Sequence, residues 1–154
     1  MTNETKWTYA ADVTLESSGA SVGTGAFLAA TNASVLLSSA NHSNYPYADF
    51  VLKLNTLSAT IASNANAYVA LYRVDQDMGG VAAADGYLPS ALYRNVFVGS
   101  FTLPNSLAST STDAVPLLDV PIGKNQRFSL ENSSAVTLVA GWSLVCTPKA
   151  IVPG

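Results

Sequence analysis

Short stretches of alternating apolar and polar positions run along most of the chain. Phe50, Leu52 and Leu54 occupy every second position of DFVLKLN, and Leu138 and Trp142 belong to a similar series between residues 136 and 145. An alternation of period two places one set of side chains on one face of a β-strand. Because helical periodicity is nearly absent, the pattern predicts a protein built from strands.

The predicted strands are separated by Gly, Pro, Asn and Ser residues, which are typical of turns. They are Trp7–Leu15, Ala20–Ala29, Ser34–Ser39, Asp49–Leu57, Ala67–Val74, Leu92–Leu103, Val115–Val120, Gln126–Leu130 and Ala135–Cys146. This many short strands in 154 residues predicts an all-β fold, an antiparallel two-sheet sandwich that is jelly-roll-like and forms a single domain over residues 1–154. An up-and-down barrel has the same local pattern and is the alternative.

The two ends of the chain lack this alternation. We therefore expect residues 1–6 to form an extended N-terminal arm and residues 147–154 an extended C-terminal tail. Pro148 and Pro153 disfavour helix in the tail. An extended tail can lie across a neighbouring molecule and pair with the edge of its sheet.

Two of the predicted strands are apolar on both faces over part of their length. They are YVALYRV, which ends at Val74, and LYRNVFVGSFTL, which begins at Leu92. An antiparallel sheet with one solvated face has polar residues on that face. Either a flanking segment or another subunit must therefore cover these strands, and we favour a subunit because an uncovered apolar patch is adhesive.

The connector between these strands is the best sequence-based candidate for a contact loop. It runs from Asp75 to Ser90, which is long for a hairpin, and long loops are often functional. The tetrapeptide ALYR occurs on both sides of it, at residues 70–73 and 91–94, and no wider repeat surrounds it. The predicted protein-contact residues are Tyr68, Tyr72, Arg73, Asp75, Asp77, Tyr87, Tyr93, Arg94 and Phe97.

The sequence does not support a metal site, a cofactor or catalysis. Asp75 and Asp77 match the start of a calcium loop, but Gly79 and Gly86 occupy positions where that loop needs oxygen ligands. His42 is the only histidine, and Cys146, in a strand-like apolar run, is expected to be buried. We therefore predict no catalytic residues, no metal and no cofactor.

Composition narrows the classes of partner. Charged residues make up 11% of the chain and the net charge is −3, so no basic surface for nucleic acid is expected. No apolar stretch is long enough to span a membrane, and the first residues lack the apolar core of a secretory signal. We expect synthesis in a cytoplasm, with no nucleic-acid or membrane partner.

Three features of the sequence are typical of one family of proteins. They are the low-charge composition rich in Ala, Ser, Thr and Gly, the run of short strands, and the stretch ALYRNVFVGSFTLP. The chain resembles the small jelly-roll decoration or cement proteins of tailed bacteriophage heads. That resemblance implies a virion structural protein made in the host cytoplasm. It would associate with itself as a dimer or trimer, bind the major capsid protein lattice from outside and stabilise the shell. The alternatives are a carbohydrate-binding module and a tail- or fibre-associated β-sandwich.

Overall fold

The computed structural model describes residues 5–28, 44–63, 65, 67–75, 90–91, 96–123 and 126–153. The regular elements within these ranges are strands. They are β1 (Thr5–Tyr9), β2 (Val13–Glu16), β3 (Tyr47–Lys53), β4 (Tyr68–Asp75), β5 (Phe97–Thr102), β6 (Ala114–Pro121), β7 (Gln126–Asn132) and β8 (Ser143–Pro153).

The strands form two antiparallel sheets. In the large sheet the order is β1-β8-β3-β6, and β2 follows β1 along the same edge of β8. In the small sheet the order is β5-β4-β7. Residues 25–28 extend the small sheet beyond β7, because Gly25 N–H donates to Asn132 O at 2.7 Å and Leu28 N–H donates to Leu130 O at 2.8 Å.

The strand pairs are nested along the sequence. The first segment, β1 with β2, pairs with the last strand, β8; residues 25–28 pair with β7; β3 pairs with β6; and β4 pairs with β5. A chain folded back on itself in this way and wrapped into two packed sheets is a jelly roll. The predicted fold class is therefore confirmed.

The core lies between the two sheets and is built from the inward positions of both. Phe50 of β3 and Phe128 of β7 meet across it with ring centroids 4.8 Å apart. Phe50, Leu52 and Leu54 are all buried, as their alternation predicts. The largest fully buried side chains are those of Trp142, Phe50, Phe101, Phe128, Leu52, Leu71, Leu103, Leu130, Leu138, Leu144 and Val22.

The predicted ends of the chain need correction. The tail expected at residues 147–154 is a strand up to Pro153, because β8 begins at Ser143 and runs beyond Cys146. The arm expected at residues 1–6 contributes Thr5 and Lys6 to β1, which pairs with that same end of β8. Alternation is weak in the tail because Pro148, Lys149 and Ala150 are buried in succession whereas residues 151–153 are exposed, and it is weak in the arm because Thr5 and Lys6 are both exposed.

Four of the predicted strands have wrong bounds. Asp49–Leu57 corresponds to β3, which begins at Tyr47 and ends at Lys53. Trp7–Leu15 is divided into β1 and β2, and Ala135–Cys146 contains only the first residues of β8, because Gly141 turns the chain with a φ of 100°. The described part of Ala20–Ala29, residues 20–28, makes isolated bridges at Val22 and Phe27, and Gly25, with a φ of 70°, interrupts it. The predicted strand Ser34–Ser39 and the start of Leu92–Leu103 lie outside the described residues.

Trp142 ties the segment after β2 to the start of β8. Its backbone oxygen accepts a hydrogen bond from Gly19 N–H at 2.8 Å, and its indole N–H donates to Ala20 O at 2.8 Å. The ring lies directly against the backbone of Gly19, so that a Cβ built there would be 2.1 Å from Trp142 Cε2. Position 19 therefore requires glycine for close packing.

We expect Gly19→Ala to destabilise the fold by about 1–3 kcal/mol, because the added methyl must displace a fully buried indole. Gly23→Ala is the matched control, since no atom lies within 4 Å of a Cβ built at Gly23. Urea unfolding followed by tryptophan fluorescence measures both variants. Equal midpoints for Gly19→Ala and Gly23→Ala would contradict this packing.

Candidate functional site

Exposed apolar side chains concentrate where the two ends of the chain pair. We call this the terminal ribbon, formed by β1 and residues 149–153 of β8. Among the described residues, four of the seven exposed large apolar side chains belong to it: Trp7 (42% exposed), Tyr9 (54%), Ile151 (54%) and Val152 (37%). Because β3 pairs with β8 only as far as Lys149, the terminal ribbon extends beyond the end of β3.

A lysine surrounded by two aspartates lies at the base of the terminal ribbon. Lys149 Nζ is 2.6 Å from Asp49 Oδ1 on β3 and 2.5 Å from Asp119 Oδ1 on β6. The Lys149 side chain is only 5% exposed. A buried ammonium needs charged partners to compensate for its lost hydration, and the two aspartates provide them.

A β-bulge places Asp119 in this cluster. The register between β3 and β6 shifts between Ala48 and Phe50, so that Leu118 and Asp119 together oppose Asp49. Asp119 has a φ of 60°, and its N–H donates to Asp49 Oδ1 at 2.9 Å. Aspartate tolerates this left-handed conformation better than most residues do. The bulge thus directs the Asp119 carboxylate toward Lys149.

Two aromatic rings cover the cluster. Lys149 Nζ lies 4.4 Å from the centroid of the Trp7 ring, which is a cation–π contact. Tyr47 packs edge-on against Trp7 with centroids 6.1 Å apart. Trp7 is thus held in a fixed orientation while much of its ring remains exposed, which is a favourable property for a recognition side chain.

The charged partners also determine the protonation of Lys149. Desolvation lowers its pKa, but the hydrogen bonds that it donates to Asp119 and Asp49 outweigh this and raise the pKa above its ordinary value of 10.5. The side chain is therefore a permanent cation at neutral pH. Its chemistry is that of an ionic link between strands β8, β3 and β6.

The predicted contact residues of β4 and β5 lie on the other side of the sandwich. The outer face of the small sheet carries Tyr68, Ala70, Tyr72, Phe97, Ser100, Thr102 and Glu131, and we call it the small-sheet face. Tyr68 and Phe97 are exposed, whereas Tyr72 is buried and donates from its OH to Glu131 Oε2 at 2.5 Å. Shallow depressions of about 380 and 490 Å³ meet at Tyr68 and Ser100.

The chain itself covers part of this face. The ring of Phe27 lies 5.8 Å from that of Tyr72, and the ring of Phe97 lies 5.8 Å from it on the other side. A flanking segment therefore supplies some of the cover that we expected mainly from a subunit. Tyr68 and Phe97 keep large exposed fractions, at 41% and 53%.

Of the remaining predicted contact residues, Arg73 is half-buried on β4 and points to the opposite face from Tyr72. Asp75 is the last residue of β4. Asp77, Tyr87, Tyr93 and Arg94 lie outside the described residues, as does most of the connector from Asp75 to Ser90.

The sequence reasoning missed the Lys149 cluster. Trp7, Asp49, Asp119 and Lys149 are far apart in the chain, and only the strand order β1-β8-β3-β6 brings them together. The one sequence signal for this cluster was Lys149, which lies among apolar residues in TPKAIVPG. A lysine whose side chain is buried in a strand needs a carboxylate partner.

Within the described ranges, no group of three or more His, Cys, Asp or Glu side chains could hold a metal ion, and no helix there has the length and apolarity to cross a membrane. Comparison with protein-family models, with curated proteins and with solved structures finds no match.

We expect Asp49→Asn to destabilise the protein by about 1–3 kcal/mol, because it leaves the buried ammonium with only Asp119, whose side chain is 63% exposed. Asp113→Asn is the matched control at an exposed aspartate. Thermal unfolding measures the difference between the two variants. If Asp49→Asn is as stable as Asp113→Asn, the ion pair between Lys149 and Asp49 does not stabilise the protein.

The thiol of Cys146 gives a pH-dependent prediction. Burial, and secondarily the negative charge of Asp12, raises its pKa from 9.0 to about 12. The unfolded chain therefore loses this proton first, and stability present below pH 9 should be lost as the pH rises toward 12, by at most about 1.4 kcal/mol per pH unit.

Urea unfolding between pH 7 and 10.5 checks this slope. Cys146→Ala should be less stable at pH 7 but should lose less stability on the way to pH 10.5. A native thiol that reacts with an aromatic disulfide reagent at pH 8 as fast as the unfolded chain does would show that Cys146 is not buried.

Proposed function

We propose that the protein is a non-enzymatic virion structural protein that decorates the outside of a phage head and reinforces its shell. The observation that carries this proposal is the presence of two exposed apolar surfaces on opposite sides of one jelly roll. The terminal ribbon exposes Trp7, Tyr9 and Ile151 on the outer face of the large sheet, and the small-sheet face exposes Tyr68 and Phe97.

Two opposite surfaces suit a protein that links other proteins. A molecule with one binding surface coats its target, whereas a molecule with two can connect a neighbour to the target. Aromatic side chains are enriched in the centres of protein interfaces. The proposal assigns the terminal ribbon to self-association and the small-sheet face to the capsid lattice.

Sparse charge supports the same role. With 11% charged residues, the surface loses little hydration when it packs against another protein. Contacts that are weak individually become strong when they repeat over a lattice, because each bound copy raises the effective concentration of the next contact. No catalytic residue is required for this activity.

The small-sheet face also favours a second candidate, a carbohydrate-binding module. Exposed rings beside a shallow depression with a few polar groups are a common arrangement for small polar ligands. Tyr68 and Phe97 flank the depression of about 380 Å³, which Ser100 also lines. A glycan array probed with the labelled protein distinguishes this candidate from lattice binding.

The test of decoration is co-sedimentation with undecorated, expanded heads of the phage whose genome carries this gene. We expect saturable binding with a fixed number of copies per capsomer. The double variant Tyr68→Ser with Phe97→Ser should bind at least about tenfold more weakly, because it removes the two exposed rings of the small-sheet face.

Leu118→Ser is the matched control, because it also removes a large exposed apolar side chain but lies in the bulge of β6, outside both surfaces. It should bind like the unmodified protein. The absence of co-sedimentation by the unmodified protein contradicts decoration, and saturable glycan binding in its place supports the second candidate.

A further inference from the structure

We propose that β1 pairs edge to edge with β1 of a second copy of this chain, across a two-fold axis that passes beside Trp7. The inference deepens the proposed function, on which it rests, by naming the self-association surface and its register. It predicts a dimer whose two large sheets join into one continuous antiparallel sheet.

The free edge of β1 has the hydrogen-bonding groups that such pairing needs. Ala10 N–H donates to Pro148 O at 2.8 Å, which fixes the phase of the ladder between β1 and β8. Hydrogen-bonded pairs alternate with non-bonded pairs in antiparallel strands. Lys6 and Thr8 therefore bond to β8, and the N–H and C=O groups of Thr5, Trp7 and Tyr9 point away from it.

This edge is solvent-exposed. Four of the five residues of β1 are exposed, and Thr8 is half-buried. Among the described strands, none pairs with the side of β1 that faces away from β8. An edge with free main-chain groups and apolar side chains is a template for another strand.

The other described edges carry features that oppose pairing. Residues 25–28 form only a short edge beside β7, with Gly25 at a φ of 70°. β6 contains Pro116 and Pro121 and a bulge at Asp119. The ladder of β5 with β4 has a register shift, and so does that of β2 with β8. The projecting end of β8 finishes at Pro153. Prolines and bulges block the addition of a strand, whereas β1 pairs with β8 without a register shift and contains no proline.

Among the antiparallel registers in which β1, TKWTY, can pair with itself, the one centred on Trp7 uses all five residues and keeps the two lysines apart. When Trp7 faces Trp7 of the partner subunit, Thr5 faces Tyr9 of the partner subunit. Both pairs are of the hydrogen-bonded type, so about six main-chain hydrogen bonds form across the axis. Lys6 then faces Thr8 of the partner subunit, and the two lysines do not oppose each other.

The rings of the two copies meet on one face. Trp7 and Tyr9 lie on the outer face of the large sheet, and Lys149 holds the Trp7 ring from behind at 4.4 Å. Pairing at Trp7 places the two Trp7 rings side by side, and each Tyr9 ring lies diagonal to the Trp7 ring across the axis. Because the contact of Trp7 with Lys149 and Tyr47 already restricts its ring, little side-chain freedom is lost when the dimer forms.

The strength of this contact should be modest. A five-residue strand with two partly exposed rings buries less surface than the roughly 1,200–2,000 Å² of a stable complex. We expect a dissociation constant of about 10–100 μM. Sedimentation equilibrium of the full chain between about 5 μM and 1 mM covers the transition.

Variants at Thr8 test the register without changing the rings. Thr8→Glu places a carboxylate opposite Lys6 of the partner subunit twice in the dimer, and should strengthen it by roughly threefold to thirtyfold. Thr8→Lys places like charges there and should weaken it by a similar factor. The double variant Lys6→Glu with Thr8→Lys should restore dimerisation. Raised salt should reduce all three effects.

Thr5→Pro tests the main-chain bonds, because it removes an outward N–H at the first position of the strand and should weaken the dimer. Circular dichroism confirms that each variant is folded. A protein that stays monomeric at 1 mM overturns the proposal, as does a dimer that responds equally to Thr8→Glu and Thr8→Lys. The Thr8→Lys variant should be monomeric in solution and should still co-sediment with heads at high concentration. That result supports dimerisation through β1 and shows that binding to heads does not require the dimer.

Discussion

The large sheet depends on the central position of β8. β1 and β2 occupy one edge of β8, and β3 occupies the other. Its inward residues Leu144 and Cys146 complete the core, while Lys149 points outward into the ionic cluster. β1 and β2 are joined to the rest of the large sheet only through β8, so the contacts of this sheet are strongly non-local in sequence.

Lys149 fixes the register of β8 against β3 more than it adds to the net stability of the fold. A buried ion pair roughly balances the desolvation of its charges against their attraction. A slip of β8 by two residues relative to β3 would keep the apolar face inward, but it would move Lys149 away from Asp49 and leave a buried charge without its partner. The hydrophobic pattern alone does not exclude that slip, because it repeats every second residue. The cluster of Lys149, Asp49 and Asp119 does exclude it.

The sequence was sufficient to predict the fold class, because alternation such as that of Phe50, Leu52 and Leu54 survives wherever one strand face is buried. Gln126–Leu130 and Val115–Val120 were predicted to within two residues of β7 and β6 for the same reason. Thr5 and Lys6 of β1 and the end of β8 were missed because apolar and polar positions do not alternate there: Lys149 is buried on the outer face, whereas residues 151–153 are exposed. The Lys149 cluster was missed because it is made by strand order, and strand order is not encoded in any single segment.

The exposed terminal ribbon and the nested topology are related. In a jelly roll the first and last strands pair, so both chain ends come to the same edge of the large sheet. Here the pair of first and last strands extends beyond the end of β3, which pairs with β8 only as far as Lys149. The ionic cluster of Lys149 holds the base of this extension against β3 and β6. The extension exposes Trp7 and Tyr9 together with their main-chain groups. The topology thus places the exposed edge of β1 at one side of the sandwich and the small-sheet face, with Tyr68 and Phe97, on the other. The dimer that we propose through β1 would present two copies of the small-sheet face, and two weak contacts held at a fixed separation bind a repeating surface far more tightly than one does.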